Sequence, residues 1–186
     1  MNSSTALVII SDGVEELEAL APVDLLRRAG ITVTVASPSD SLGVTGRNGI
    51  HLRADKRFNA KMEVPDLLVI PGGPGHKELA QNTGLLEFLR KQNEAGKLIG
   101  SICAGPVVLK EAGLLNGRRF TSFPATADEL PDRLPDGPVV IDGNLITSWG
   151  AGSAIVFALA LVEGLCGPEK RQEIAASICF PDQRPG

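Results

Sequence analysis

Five apolar segments set the frame of this chain. Ala6 to Ile10 and Leu67 to Ile70 are continuous apolar runs, and Leu98, Ile99 and Ile102 form a third with only small residues between them. Short apolar runs bounded by Gly, Pro or Asp are the signature of parallel strands buried on both faces. Ile31 to Ala36 alternates Ile and Val with Thr and reads as a further strand, and Leu145 to Thr147 as another. Between the runs lie helical patterns. Glu15 to Ala29 starts with acidic residues, ends with Arg27 and Arg28, and stops at Gly30. That distribution complements the helix dipole. Pro22 inside it predicts a kink. A helix is predicted from about Lys77 to Asn93, an apolar one from Ala154 to Leu165, and a last one from near Pro168. Val44 to Leu52, with Gly46 and Gly49, reads as a hairpin or paired edge strands. Asp142-Gly143-Asn144 between two apolar runs is a second hairpin signal. Phe120 to Leu134 is irregular, and the tail Pro181 to Gly186 is expected to be loose. Strands alternating with helices make the fold α/β, with a mostly parallel sheet and helices on both faces.

The most informative stretch is Lys97 to Leu109, KLIGSICAGPVVL. An apolar strand runs into Cys103, Ala104-Gly105-Pro106 turn the chain, and Val107 to Leu109 begin a helix. Pro106 suits a first helical turn, where its missing N–H costs nothing. Cys103 is thereby placed at the carboxyl end of a strand and the positive end of a helix. Open parallel sheets carry their reactive groups there. A helix N-terminus lowers a thiol pKa below its free value of about 8.5. The arrangement is a cysteine version of the strand–turn–helix nucleophile elbow. The alternative is a small buried Cys that merely packs.

Two further segments converge on the same end of such a sheet. Pro71-Gly72-Gly73-Pro74-Gly75 follows a buried strand and lets backbone approach a ligand closely. Its N–H groups, with that of Ala104, are placed to form an oxyanion hole. The loop lacks the Gly-Lys-Ser/Thr of a phosphate loop. After the first strand comes Glu15-Glu16-Leu17-Glu18. Leu17 and Leu20 are taken to mark the buried face, with Glu18 beside it. A carboxyl against an apolar wall and near a thiolate has a raised pKa and can remain a proton donor. Glu15 and Glu16 read first as helix-start electrostatics.

The totals narrow the class. The chain has 186 residues, 43% hydrophobic and 22% charged, with a net charge of −4. One domain, residues 1–186, is expected. Lys and Arg are scattered, which argues against a nucleic-acid groove or a polybasic membrane patch. Three cysteines without metal-type spacing argue against a disulfide framework and fit a reducing cytoplasm. No metal or cofactor is expected, nor a membrane segment. Of the two histidines, neither follows Cys103, so the Cys…His order of a glutamine amidotransferase is missing. His51 reads as surface, and His76 opens the helix after the Gly loop and is placed to approach the site. Cys166 and Cys179 read as packing residues.

With these residues in view, the chain resembles the ThiJ/PfpI superfamily, in the branch of the parkinsonism-associated protein deglycase and its bacterial relatives. The resemblance rests on Ala6 to Gly30, Pro71-Gly72-Gly73, Ile102 to Pro106, and Leu145 to Ser148 followed by Gly150-Ala151-Gly152. It implies a flavodoxin-like three-layer sandwich, a class I glutamine amidotransferase-like domain, and a homodimer. By resemblance Cys103 is an oxidation-prone nucleophile and Glu18 its protonated partner. Gly73 and Ala104 supply oxyanion N–H groups. Arg47, and Arg28 from the partner chain, hold an anion near the site, with Glu15 in the same substrate-binding group. The implied activities are glutathione-independent glyoxalase and deglycase action on glyoxal, methylglyoxal or their protein and nucleotide adducts. The alternative is a redox-sensing stress-response chaperone whose Cys103 oxidises to a sulfinic acid. Two departures from the family pattern stand out. Ala104 occupies the place of the His that follows the Cys in the protease-like branch. Phe123 stands before Pro124 where some close relatives carry a His.

Overall fold

The structure, a computed structural model, describes residues 4–181; beyond Pro181 the tail expected to be loose lies outside the described residues. In chain order the strands are β1 (Thr5–Ile9), β2 (Thr32–Ser37), β3 (Gly43–Thr45), β4 (His51–Arg53), β5 (Lys56–Arg57), β6 (Leu67–Ile70), β7 (Leu98–Ile102), β8 (Val139–Asp142) and β9 (Leu145–Ser148). The helices are α1 (Glu16–Arg28), α2 (His76–Leu79), α3 (Thr83–Glu94), α4 (Gly105–Glu111), α5 (Ala154–Cys166) and α6 (Pro168–Ser177). Seven strands form one sheet in the order β5-β2-β1-β6-β7-β9-β8, parallel throughout except that β8 runs antiparallel to β9. The parallel strands from β2 to β9 read 2-1-3-4-5 when counted along the chain, the flavodoxin-like order. β3 and β4 pair as a separate antiparallel hairpin.

The continuous apolar runs are explained by layers on both sides. Alternate residues of a strand point to opposite faces. Ala6, Val8, Leu67 and Val69 enter one core with residues of α1, α5 and α6, including Leu26, Phe157 and Ile174. Leu7, Ile9, Leu68 and Ile70 enter the other, with Phe88 and Leu89 of α3 and Val108 and Leu109 of α4. Every residue of β6 is buried. Both hairpins fall where the glycines place them.

Two local expectations are corrected, and one short strand is added. The helix predicted from Lys77 to Asn93 is two helices, because the Asn82 side chain accepts the Leu85 N–H at 2.9 Å and caps a new start. Leu17 and Leu20 do not mark the buried face of α1. They are 60% and 44% exposed, and the face turned inward carries Glu16, Glu18, Ala19, Pro22, Val23, Leu25 and Leu26. The two-residue β5 was not legible, since Lys56 and Arg57 carry the charged pattern of a guarded sheet edge rather than of a strand. α1 continues through Pro22, which leaves the Glu18 carbonyl without its intrahelical donor. Among the described residues no helix is long and apolar enough to cross a membrane.

Candidate active site

β7 ends at Ile102 and α4 begins at Gly105, so the turn between them falls on Cys103. Cys103 has φ +63°, in the left-handed region that costs a non-Gly residue about 1–2 kcal/mol. The surrounding loops hold it there. Its N–H donates to the Ser148 carbonyl at 2.9 Å, and its own carbonyl accepts from the Phe123 N–H at 2.9 Å. α4 starts this close to β6 only because residue 105 lacks a Cβ, which would lie 2.4 Å from the Ile70 carbonyl oxygen. The sequence therefore dictates a strained elbow whose side chain stands clear of both the strand and the helix.

Glu18 reaches the elbow from the inward face of α1. Its Oε2 accepts the Gly72 N–H at 3.0 Å, and its carboxyl is electrostatically coupled to the Cys103 thiol. The backbone N–H groups of Ala104 and Gly73 favour the anionic form of the same sulfur. A Cβ on Gly72 would sit 2.6 Å from the Cys103 Cβ and 2.7 Å from Glu18 Oε2, so glycine at 72 is what lets thiol and carboxyl meet. Gly73 has φ +90° and backs onto the loop after β1. His76 is buried with its Nδ1 2.8 Å from the Gly73 carbonyl oxygen. That oxygen can only accept, so Nδ1 carries the proton. His76 thus steadies the glycine loop from behind and does not touch the sulfur through this bond.

The electrostatics correct one expectation and sharpen another. Glu18 is 1% exposed, and burial raises its pKa to about 7, against hydrogen bonds from Cys103 and Gly72 that lower it. Cys103 is 7% exposed, and its thiol is not acidified. Burial comes first, then the charge and hydrogen bond of Glu18; together they push it up to about 12, over the lowering effect of the Ala104 and Gly73 N–H groups. The helix-start donors that the sequence pointed to are present. They are outweighed by loss of water around the sulfur. Two of the three raising influences vanish when Glu18 holds the proton, so the pair is best treated as one unit that carries a single proton above about pH 7. That proton can sit on sulfur or on the carboxyl, and the second arrangement is a thiolate beside a neutral acid.

The other candidates separate. Glu15, the N-cap residue of α1, is buried and ion-paired to Arg47 at 3.4 Å, and both lie within electrostatic reach of Glu18. Glu16 is more than a helix-start charge. It accepts the N–H groups of Asn48 at 2.8 Å and Ile50 at 3.4 Å and ties the β3–β4 turn to α1. Burial raises its pKa, but these bonds outweigh burial and hold it below the ordinary value. Arg28 does not join the site of its own chain. It is paired with Asp24 at 2.9 Å and lies about 15 Å along α1 from Glu18 at 1.5 Å per residue. His51 is exposed, as expected. Cys166 and Cys179 are exposed too, contrary to the packing roles read from their apolar neighbours. The sequence reading missed Gly150. A Cβ there would lie 3.8 Å from Cys103 Sγ and 3.7 Å from Glu18 Oε1, so Gly150 leaves open space against both reactive groups. The Gly-Ala-Gly after β9 was the available signal. Among the described residues no group of three or more His, Cys, Asp or Glu is placed to hold a metal ion.

Comparison with known proteins gives a consistent result. The model of the DJ-1/PfpI family matches residues 4–164. Protein DJ-1 homolog B of Arabidopsis thaliana is 43% identical over 91% of this chain, which spans 40% of that relative's length. The glutathione-independent glyoxalase DJR-1.2 of Caenorhabditis elegans is 35% identical over 95% of this chain and 96% of its own. The oxidized structure of Toxoplasma gondii DJ-1 superposes with a TM-score of 0.91 at 36% identity, covering 96% of this chain and all of that one.

Proposed function

The chain belongs to the DJ-1/PfpI family, and on that premise we propose that it converts 2-oxoaldehydes such as methylglyoxal to 2-hydroxy acids without glutathione. The same chemistry extends to the early adducts these aldehydes form on proteins and nucleotides. The observation that carries the reading is the direct pairing of the Cys103 thiol with a buried carboxyl whose pKa is about 7. A nucleophile and a proton carrier matched to neutral pH are what this isomerisation needs.

The steps balance without an outside oxidant. The thiol proton passes to Glu18 as sulfur bonds to the aldehyde carbon, and the carbonyl oxygen becomes a hemithioacetal oxygen. The Gly73 and Ala104 N–H groups, released from sulfur as it forms that bond, are the donors at hand for the oxygen. Such a donor is worth roughly 3–4 kcal/mol. Glu18 gives up its proton to that oxygen and removes the C1 hydrogen as a proton. Returned to C2, while the hemithioacetal O–H proton passes to the C2 oxygen, that proton leaves a thioester of the 2-hydroxy acid. Water then cleaves the S–C bond and restores the thiol. C1 is oxidised and C2 reduced within one molecule. The Glu15–Arg47 pair at the rim supplies a cation for the anionic product.

Methylglyoxal supplied to the wild-type protein is expected to yield lactate, with no turnover by Cys103→Ala, as followed by NMR. Equal rates for the two proteins would remove the proposal. The redox reading uses the same sulfur, and the relative from Toxoplasma gondii was solved oxidized. A stable gain of two oxygens on Cys103 after mild peroxide, with no aldehyde turnover, would favour it instead.

The working unit in this reading is a homodimer. Leu17 and Leu20 project from α1 into solvent, and Ile50, 52% exposed, lies on the turn that Glu16 ties to the same helix. Exposed apolar side chains gathered on one face mark an interaction surface. A partner docked there would also give a role to Arg28, which in its own chain pairs with Asp24 away from the site. Leu17→Asp is expected to convert a dimer to a monomer in sedimentation equilibrium. A wild-type protein that sediments as a monomer at high concentration would remove the dimer.

A further inference from the structure

We propose that a groove beside Cys103 seats the aryl or bulky alkyl substituent of the substrate, so that the site favours aryl 2-oxoaldehydes over methylglyoxal; this rests on the aldehyde chemistry proposed above. The groove has a volume of about 350 Å³ and is lined by Phe123, Pro124, Trp149 and residues 150–153, with a mostly apolar surface. That is at the small end of the roughly 300–1,000 Å³ of ligand sites, ample for one ring.

Its connection to the chemistry is geometric. The position that a Cβ on Gly150 would take is 3.5 Å from the Phe123 ring, 3.7 Å from Glu18 Oε1 and 3.8 Å from Cys103 Sγ. One carbon-sized point therefore touches the nucleophile, the proton carrier and the aromatic wall together. A group carried on the second carbon of a sulfur-bound aldehyde leads from the sulfur toward Phe123. The wall is aromatic on this chain's own residues, with Phe123 and Trp149 both lining it. Phe123 is half-exposed although its backbone is fixed by the bond to the Cys103 carbonyl. An aromatic side chain held at the mouth of a reactive site and left uncovered has apolar surface to offer an incoming ring. Methylglyoxal presents only a methyl group to it. One methylene in such a pocket is worth about 10–200-fold in kcat/KM, so a ring against a half-open wall is expected to gain at least about tenfold.

The test compares kcat/KM for phenylglyoxal and methylglyoxal in the wild type and in Phe123→Ala. It pairs this with the rate at which iodoacetamide and N-benzyliodoacetamide alkylate Cys103, each corrected for its reaction with free N-acetylcysteine. The wild type is expected to favour the aryl member of both pairs by about tenfold or more, and Phe123→Ala to bring both ratios toward one. Trp149 is the only tryptophan, so quenching of its fluorescence during benzyl labelling reports occupancy of the groove directly. Aryl ratios near one in the wild type, or unchanged in Phe123→Ala, would overturn the groove. Absence of turnover with both aldehydes would overturn the aldehyde chemistry and the substrate preference with it. The alkylation ratio would still decide whether the groove binds rings.

Discussion

Glu18→Gln is expected to lower methylglyoxal turnover by about 10²–10⁴-fold and, in the same protein, to raise stability at alkaline pH. The kinetic part follows from the loss of the carboxyl coupled to the sulfur. The stability part follows from linkage. The pKa of Glu18 is raised from 4.5 to about 7 on folding. Its folded state therefore binds more protons than its unfolded state between those values. The stabilising effect is complete below about pH 4.5 and is lost as pH rises through 7. A shift of this size corresponds to roughly 3 kcal/mol at pH 8, where the native protein must hold an ionised carboxyl out of water. Glutamine keeps the oxygen that accepts the Gly72 N–H and removes the charge. Urea unfolding should thus show the variant more stable at pH 8 and level with the wild type at pH 4. The thiol should also ionise at lower pH in the variant, read as thiolate absorbance, because an anionic neighbour is gone. A variant that is less stable at both pH values, or that keeps the wild-type thiol pKa, would contradict this account of the pair. The wild-type kcat/KM should rise through about pH 7 as the pair drops to one proton, a limb that Glu18→Gln should lack.

The expected gain in stability locates the physical cost of the site. A strained elbow at Cys103 and a buried carboxyl at Glu18 each work against folding, and both sit at the reactive end of the sheet. What was legible in the sequence was the part that local chemistry controls. Cys103-Ala104-Gly105-Pro106 admits few conformations other than a sharp turn into a helix, and the apolar runs admit few places other than the sheet centre. Asp142-Gly143-Asn144 fixed its hairpin in the same way. What was not legible depends on neighbours distant in sequence. Leu17 and Leu20 have helical spacing that fits either an inward or an outward face, and the inward side was decided by where Glu16 and Glu18 find N–H donors, at Asn48 and Gly72. The thiol pKa turned on desolvation, which no residue count supplies. Gly150 entered the site only because β9 lies beside β7, paired Ile102 to Ser148.

Gly73→Ala is expected to destabilise the protein by about 4 kcal/mol or more, whereas Gly96→Ala should cost only about 1–2 kcal/mol. Both glycines have positive φ, +90° and +65°, so both substitutions carry the left-handed penalty of an L-residue. They differ in what the new methyl meets. At Gly96, past the end of α3, it meets nothing within 4 Å. At Gly73 it would lie 2.3 Å from the Gly13 carbonyl oxygen and 2.5 Å from the Glu15 nitrogen, and backbone on that side cannot swing away as a side-chain tip can. Relief requires parting the loop after β6 from the loop after β1, which breaks the 3.1 Å bond from the Glu15 N–H to the Gly72 carbonyl. The same movement would draw the Gly72 N–H from Glu18 and the Gly73 N–H from the sulfur, so turnover should fall with stability. Losses of this size arise only from a few mechanisms, and forced overpacking against backbone is one of them. Urea unfolding of the two variants in parallel reads the difference, and a soluble fraction near zero for Gly73→Ala alone would have the same meaning. If the two variants unfold within 1 kcal/mol of each other, the glycine loop is not pinned between α1 and the elbow. The oxyanion donors would then have to be sought elsewhere.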